Sequence, residues 1–390
     1  MKYVTAGESH GPALTAIVTG VPAGLTISEK AINSDLARRQ SGYGRGGRQA
    51  IEKDTVSIMS GVRFGSTLGT PIALMVENRD WRNWTDRMAA FGCAPENLVR
   101  EVTPRPGHAD LLGVLKNDMD DCRNILERSS ARETAARVAA AGIAREFLAE
   151  LGVEIFSYVK SIGNVVFEEE NPLVDAVHYA PLDIETSEVR CPDAAASEAM
   201  MAAIDDAKEQ GESLGGTFRV VVTGLLPTLG GFESGLERLT SQLGAALFSI
   251  PAIKGVEFGM GFEAATLPGS YVHDEIILEE GRGFTRATNN AGGLEGGMTT
   301  GMPLVATVAM KPIPTLTTPL NTVNLDTLEV DKASKERSDV CAVPAAAVVA
   351  ESEMAFVLAE AYLRKFGSDN MTDIKQNIQA FKERIKTMSR

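Results

Sequence analysis

Two of the four histidines in this 390-residue chain sit in glycine-flanked turns, and they are the first residues whose surroundings suggest chemistry. His10 lies in Gly7-Glu8-Ser9-His10-Gly11-Pro12, and His108 in Pro104-Arg105-Pro106-Gly107-His108-Ala109-Asp110. Imidazole is the side chain best matched to proton transfer near neutral pH. Glycine beside it removes bulk and lets a ligand approach the backbone. A turn histidine bonded to backbone is the competing reading for each. His178 and His273 lack such surroundings and are expected to have no catalytic role.

The second feature is cationic. Arg38, Arg39, Arg45 and Arg48 punctuate the run Arg38-Arg39-Gln40-Ser41-Gly42-Tyr43-Gly44-Arg45-Gly46-Gly47-Arg48. Gly42, Gly44 and Gly47 formally spell a dinucleotide fingerprint, but that motif needs strand, turn and helix in that order. Here a helix-like segment comes first and a strand-like one follows. The run therefore reads as a loop that brings arginines over a phosphorylated ligand, against the alternative of an exposed basic loop. A third feature is Glu127-Arg128-Ser129-Ser130-Ala131-Arg132, a helix start where N–H groups, two hydroxyls and two arginines converge on an anion site. Three C-terminal stretches complete the set: Thr288 to Met298, Lys311-Pro312-Ile313-Pro314-Thr315 and Glu336-Arg337-Ser338-Asp339. Each of these could equally be structural.

Charge is distributed to match. The net charge is −14, which argues against nucleic acid or anionic lipid as the main partner. Residues 1–140 carry 18 basic and 16 acidic side chains, and 14 of the basic ones are arginine. The remainder has 20 basic and 36 acidic residues. Arginine's planar fork binds phosphate and carboxylate bidentately, so an arginine-rich segment in an acidic chain predicts a concave site for a small polyanion. Cys93, Cys122, Cys191 and Cys341 are widely spaced and form no Cys-x-x-Cys pair. Neither a disulfide framework nor metal ligation is expected, and a reducing cytoplasm fits. No apolar run approaches membrane-spanning length, and no signal-peptide core occupies the first residues.

The elements that must position these residues mix strands and helices without steady alternation, which predicts an α+β fold. Strand-like runs occupy Ala13–Val18, Thr55–Ser60, Pro71–Val76, Thr217–Val222, Val256–Phe258 and Pro303–Met310. A helix-like segment covers Ala31–Arg39. Ser130 and Glu133 form a capping box before a helix that Gly152 stops. Pro344 opens a long helix closed by Gly367, and Ile374, Ile378, Phe381 and Ile385 form one stripe on a last helix. The acidic stretch Glu168–Asp183 reads as a surface insertion or weak boundary, and the chain is not divided there.

Taken in order, these motifs resemble the three signature segments of chorismate synthases. Gly7 to Gly11, Glu127 to Glu133, and Arg337-Ser338-Asp339 through Glu351 carry the resemblance. Arg45 to Arg48, Arg105 to His108, Lys254 to Gly259 and the Asn289 and Lys311 loops support it, and Val153–Gly211 resembles the family least. The resemblance implies a single domain over residues 1–390 with a β-α-β sandwich fold, two antiparallel sheets with helices between and around them. It implies a homotetramer that acts on 5-enolpyruvylshikimate 3-phosphate by trans-1,4 elimination of phosphate. Reduced FMN would be required without net redox change. NADPH could serve as reductant, through Arg39 and Arg45 or a separate reductase. In that scheme His108 protonates the leaving phosphate, His10 keeps the reduced flavin in its productive protonation state, and Asp339 helps flavin N5 accept the substrate proton. Ser9, Arg39, Arg45, Arg48, Arg105, Ser130, Arg132 and Arg337 would hold the substrate. Arg128, Ser129, Ser130, Ala252, Gly296, Lys311, Pro312, Ile313, Pro314, Thr315 and Arg337 would hold the flavin. Pro251 stands where the family often has asparagine or glutamine, and Phe64 where histidine is frequent. Two other classes stay open at this point: a flavin-dependent NADPH oxidoreductase and a non-catalytic phosphate-binding protein.

Overall fold

The computed structural model describes residues 1–46, 51–170, 172–179, 181–280, 283–336 and 339–388. Two antiparallel sheets organise them. The first pairs β1 (Lys2–Ala6), β2 (Ala13–Thr19), β3 (Val56–Ile58) and β4 (Ile72–Glu77) in the order β1-β2-β4-β3. Register runs Lys2↔Thr19, Ala13↔Glu77 and Val56↔Val76. Leu14, Ala16 and Val18 alternate inward along β2 while Ile17 stays exposed, so one face is packed and the other is not.

The second sheet contains β5 (Glu154–Ile162), β6 (Val165–Val166), β7 (Gly216–Thr223), β8 (Ile253–Phe258) and β9 (Leu304–Met310), ordered β8-β9-β7-β5-β6. Its central strand β7 buries Phe218, Val220, Val221 and Val222, with the buried Arg219 among them. Burial of consecutive residues, whose side chains point to opposite faces, marks a strand covered on both sides. The outer cover includes Ala176 and Ile184, which pack with Phe156, Tyr158 and Val221. The acidic stretch expected as a surface insertion therefore supplies part of a second core. Within it Glu169 is buried and joins Lys160, Tyr158 and Arg219.

Helices α1 (Glu29–Gln40), α2 (Asp110–Asn117), α3 (Arg123–Ser129), α4 (Thr134–Glu150), α5 (Ala194–Gln210), α6 (Leu239–Phe248), α7 (Val343–Phe366) and α8 (Met371–Met388) complete the frame. α4 lies on the first sheet, α7 on the second, and the two helices pack on each other. A glycine lets α1 approach α4: Gly142 leaves no room for a Cβ, which would meet Ile32 of α1 at 2.6 Å. α7 is buried along nearly its whole length, including Glu351 and Glu353. An all-round buried helix is hydrophobic on every face, so two carboxylates within it require partners.

The strand and helix expectations recover the six strand-like runs and the helices named from sequence, and omit β1, β5 and β6 and helices α2, α3, α5 and α6. The capping box differs in detail. Ser130 Oγ accepts from Arg132 N at 3.2 Å, whereas the Glu133 carboxylate pairs with Arg137. Residues 131–133 form a short 3-10 turn before α4 begins.

Candidate active site

A cavity of about 750 Å³ opens where the β1–β2 turn, the end of α1, the loop before α2, the 129–132 turn, the Lys311 loop and the start of α7 meet. That size accommodates a cofactor together with a small substrate. His10 and His108 both line it, with Ser9, Arg39, Arg45, Arg105, Ser129, Ser130, Arg132, Ala252, Lys311, Ile313, Pro314, Thr315 and Asp339.

Each histidine is set by a buried carboxylate. His10 Nδ1 lies 2.9 and 3.0 Å from the Glu127 oxygens, and the backbone N–H of His10 donates to Glu127 Oε2 at 2.7 Å. Burial raises the Glu127 carboxyl, but the His10 hydrogen bonds and Arg123 outweigh it and hold the carboxyl below its usual range. His108 Nδ1 is bonded to Asp110, which also accepts Arg105 Nε at 2.9 Å. Burial again raises Asp110, and His108 and Arg105 reverse it, leaving the group well below the ordinary carboxylate range. A carboxylate on Nδ1 fixes both ring orientation and tautomer. Backbone geometry also demands two of the flanking glycines. Gly7 has φ 113°, and a Cβ there would strike the Ala13 carbonyl at 2.5 Å. Gly107 has φ 80° with Lys311 Nζ close behind.

The cations are anchored but not exhausted. Arg39 Nε donates to Thr134 Oγ1 at 2.9 Å and its terminal nitrogens to Ala131 O at 3.1 Å and Asp54 at 3.4 Å. Arg132 reaches the same Asp54 at 2.6 Å and Asn78 at 2.8 Å. Burial depresses Arg39, Asp54 opposes, and Arg132 and Arg45 push further down, to about 10. It stays cationic at neutral pH. Arg105 adds a 2.9 Å bond to Thr315, joining the His108 turn to the Lys311 loop. Arg45 pairs with Asp339 at 2.9 Å, and Asp339 also accepts from Gly46 N at 2.7 Å. Arg45 Nε is buried with no partner among the described residues. Such an orphaned donor in a cavity wall is a place for an external acceptor.

The family comparisons agree with one another. A family model described as chorismate synthase matches residues 1–363. The chorismate synthase of Aquifex aeolicus is 51% identical over 99% of this chain and 98% of its own length. That of Bacillus subtilis is 53% identical over 97% and 98%. A crystal structure of chorismate synthase superposes with TM-score 0.80 at 42% identity, covering 99% of this chain and 98% of the other. The chain belongs to the chorismate synthase family. Its function is that of a chorismate synthase, a lyase acting on a small molecule. The comparisons support neither an oxidoreductase nor a non-catalytic binder.

Three residues expected at the flavin are not among those that line this cavity. Arg128 turns to Thr5 O and Gly7 O at 3.0 and 3.2 Å, while Gly296 and Pro312 do not line the cavity. Arg48 and Arg337 lie outside the described residues. Arg38, in the expected arginine run, is on α1 and points away from the cavity, to Glu351. Within that run Gly44 has φ 75° and abuts Ile204, and Gly47 lies outside the described residues. Ala252 holds φ 69° after Pro251, a left-handed conformation that costs a non-glycine residue roughly 1–2 kcal/mol. Sites of function are where such strain is retained.

A flavin fits what is present. The orphaned Arg45 Nε and the ammonium of Lys311 offer charge, and Ile250, Met310, Ala345, Ala346 and Val349 offer an apolar wall for a ring system. Sequence reading missed the strap that follows β4. Asp80, Asn83, Trp84 and Arg87 all line the cavity. The available signal was Asn78-Arg79-Asp80-Trp81-Arg82-Asn83-Trp84, which places both tryptophans of the chain within four residues among charges. Among the described residues no His/Cys/Asp/Glu group is arranged to hold a metal, and no helix is long and apolar enough to cross a membrane.

Proposed function

We propose that this chain carries out the trans-1,4 elimination of phosphate from 5-enolpyruvylshikimate 3-phosphate to chorismate, with reduced FMN bound beside the substrate. The observation that supports it most is the meeting of two carboxylate-set imidazoles and five arginines in one cavity. The substrate carries a phosphate and two carboxylates, and Arg39, Arg45, Arg105 and Arg132 are the forks that would hold them, with Ser9 and Ser130 assisting. Such a clamp contributes positioning and electrostatic stabilisation of the departing phosphate, commonly the largest catalytic effects. With Asp110 on Nδ1, His108 delivers a proton from Nε2 to the leaving phosphate. His10, set by Glu127, maintains the protonation state of the site. Asp339 bridges Arg45 and Gly46 and serves removal of the ring proton. When bound, reduced FMN supplies electron density transiently to the substrate without net redox change. Ser129, Ser130, Ala252, Lys311, Ile313, Pro314 and Thr315 would hold it.

On the same footing we read the fold as a β-α-β sandwich forming one domain over residues 1–390, supported by α4 and α7 packing between the two antiparallel sheets. We assign a cytoplasmic homotetramer by kinship. The reductant assigned to the flavin is NADPH, delivered through Arg39 and Arg45 or by a separate reductase. Oxidation of NADPH by the purified chain with FMN decides between those routes. The reaction itself is tested by anaerobic phosphate release from the enolpyruvyl ester with dithionite-reduced FMN. Release well above background is expected, and none would defeat the assignment.

A further inference from the structure

We propose that Trp84 is a positioning residue for His10, holding the plane of its imidazole while Glu127 fixes its edge. The inference rests on the role assigned to His10 above. A hydrogen bond at Nδ1 anchors one side of a histidine ring but leaves it able to swing about that bond. In this site the swing meets an indole. The Trp84 ring lies 4.0 Å from the imidazole centroid at an interplanar angle of 25°. Stacking restrains a ring through its face and does not compete for its nitrogens.

The two restraints are tied to each other. Arg123 donates to Glu127 Oε1 at 3.2 Å and places its guanidinium 5.2 Å from the indole centroid. Arg87, at the cavity, approaches the same indole at 5.7 Å. Imidazole, carboxylate, guanidinium and indole thus close a ring of contacts. The strap that carries Trp84 is itself bonded to the turn that carries His10. Asn78 donates to Glu8 O at 3.0 Å and Gly11 O at 2.8 Å, and Glu52 accepts Arg79 N at 2.9 Å and Asp80 N at 3.3 Å. Trp84 N donates to Trp81 O at 2.9 Å, closing the strap's turn. Asn78 also accepts from Arg132, so the strap joins the proton-handling residue to an anion-holding one. Misplacing a reacting group by ~1 Å can cost ~10²-fold in rate, which is the scale on which such a clamp matters.

The test uses the full chain with FMN. Trp84→Phe retains an aromatic face and should keep most of the turnover. Trp84→Leu should lose about tenfold or more in kcat, with a smaller change in KM, and should add no further loss in a His10→Ala background. Equal turnover of the Phe and Leu variants, or a full additional loss in the His10→Ala background, would overturn the proposal. An optical measurement separates it from the reaction. The chain has two tryptophans, so Trp81→Phe leaves Trp84 as the sole indole emitter. Replacing His10 by Ala in that background should brighten and shift the emission, and unchanged emission would refute the contact. Should the unmodified chain release no phosphate, the functional reading fails while the emission still decides whether Trp84 stacks on His10.

Discussion

Arg38 and Arg39 are neighbours on the last turn of α1, and they belong to two different electrostatic worlds. Arg38 donates both terminal nitrogens to Glu351, at 2.9 and 2.8 Å, and Glu351 also accepts Arg145 at 2.8 Å and Arg190 at 3.2 Å. Asp35 and Glu185 complete that cluster, so three carboxylates answer three guanidiniums. Arg39 instead enters the cavity, where Asp54 is shared with Arg132 and Arg45 stands nearby. Burial works against both cations. For Arg38, Glu351, Glu185 and Asp35 overcome it and the net shift is upward, whereas Arg39 is left at about 10. A cluster that neutralises itself holds the fold together. Arg39, whose bond to Asp54 is 3.4 Å long and shared with Arg132, keeps donor capacity for the anion of a ligand.

Cutting the first cluster should cost the most. Glu351→Gln takes the shared carboxylate from the buried Arg190 and from the half-buried Arg38 and Arg145, and is expected to lower the unfolding free energy by about 3 kcal/mol in urea titrations, with the turnover of folded protein near that of the parent. The contrast fails if turnover falls and stability does not. Acid extends the same test. Burial raises the Glu351 carboxyl, and Arg38, Arg145 and Arg190 bring it down to about 2. A depressed carboxyl contributes stability that is complete above its unfolded value of about 4.3 and is lost as pH falls from there towards about 2. Glu351→Gln should lack that part of the acid-unfolding curve, and identical acid sensitivity would contradict the assignment.

Arg39→Gln should do the reverse. Loss of one preorganised cation is expected to lower kcat/KM by about 10²–10³-fold. Stability should change little, because Asp54 keeps Arg132. An unfolding curve as damaged as that of Glu351→Gln would erase the distinction. Inorganic phosphate provides a milder probe: at about 100 times its dissociation constant it should stabilise the unmodified chain by about 2.7 kcal/mol, and Arg39→Gln much less. Equal stabilisation of both proteins would place the anion elsewhere. The smallest effect is Arg38→Lys, which gives up the fork on Glu351 for a point charge and should cost about 1 kcal/mol. No measurable loss would show that the bidentate geometry contributes little.

How far the sequence could disclose this site depended on chain separation. The His108 set is local: Arg105, His108 and Asp110 lie within one turn, and their spacing places them in one short segment. The Glu127 that sets His10 is 117 residues away. Its motif was visible, but its partner was not, because only the packing of α3 against the β1–β2 turn creates the contact. The divergence of Arg38 and Arg39 was illegible for a related reason. Adjacent residues on a helix point about 100° apart, and which direction faces the cavity is decided by α4 and α7. The fold followed the same rule. β2, β4, β7 and β9 show themselves as apolar runs, whereas β1, with Tyr3 and Val4 flanked by polar residues, gains strand character from pairing with β2. The strap with Trp84 has no regular period at all, and composition was its only signal.

Crystals of the chain grown with oxidised FMN and 5-enolpyruvylshikimate 3-phosphate address the account at its root. It predicts the ester's charges on Arg39, Arg45, Arg105 and Arg132, with His10 and His108 both within reach of the bound pair. Substrate density outside this cavity, or either imidazole held away from flavin and substrate alike, would contradict it.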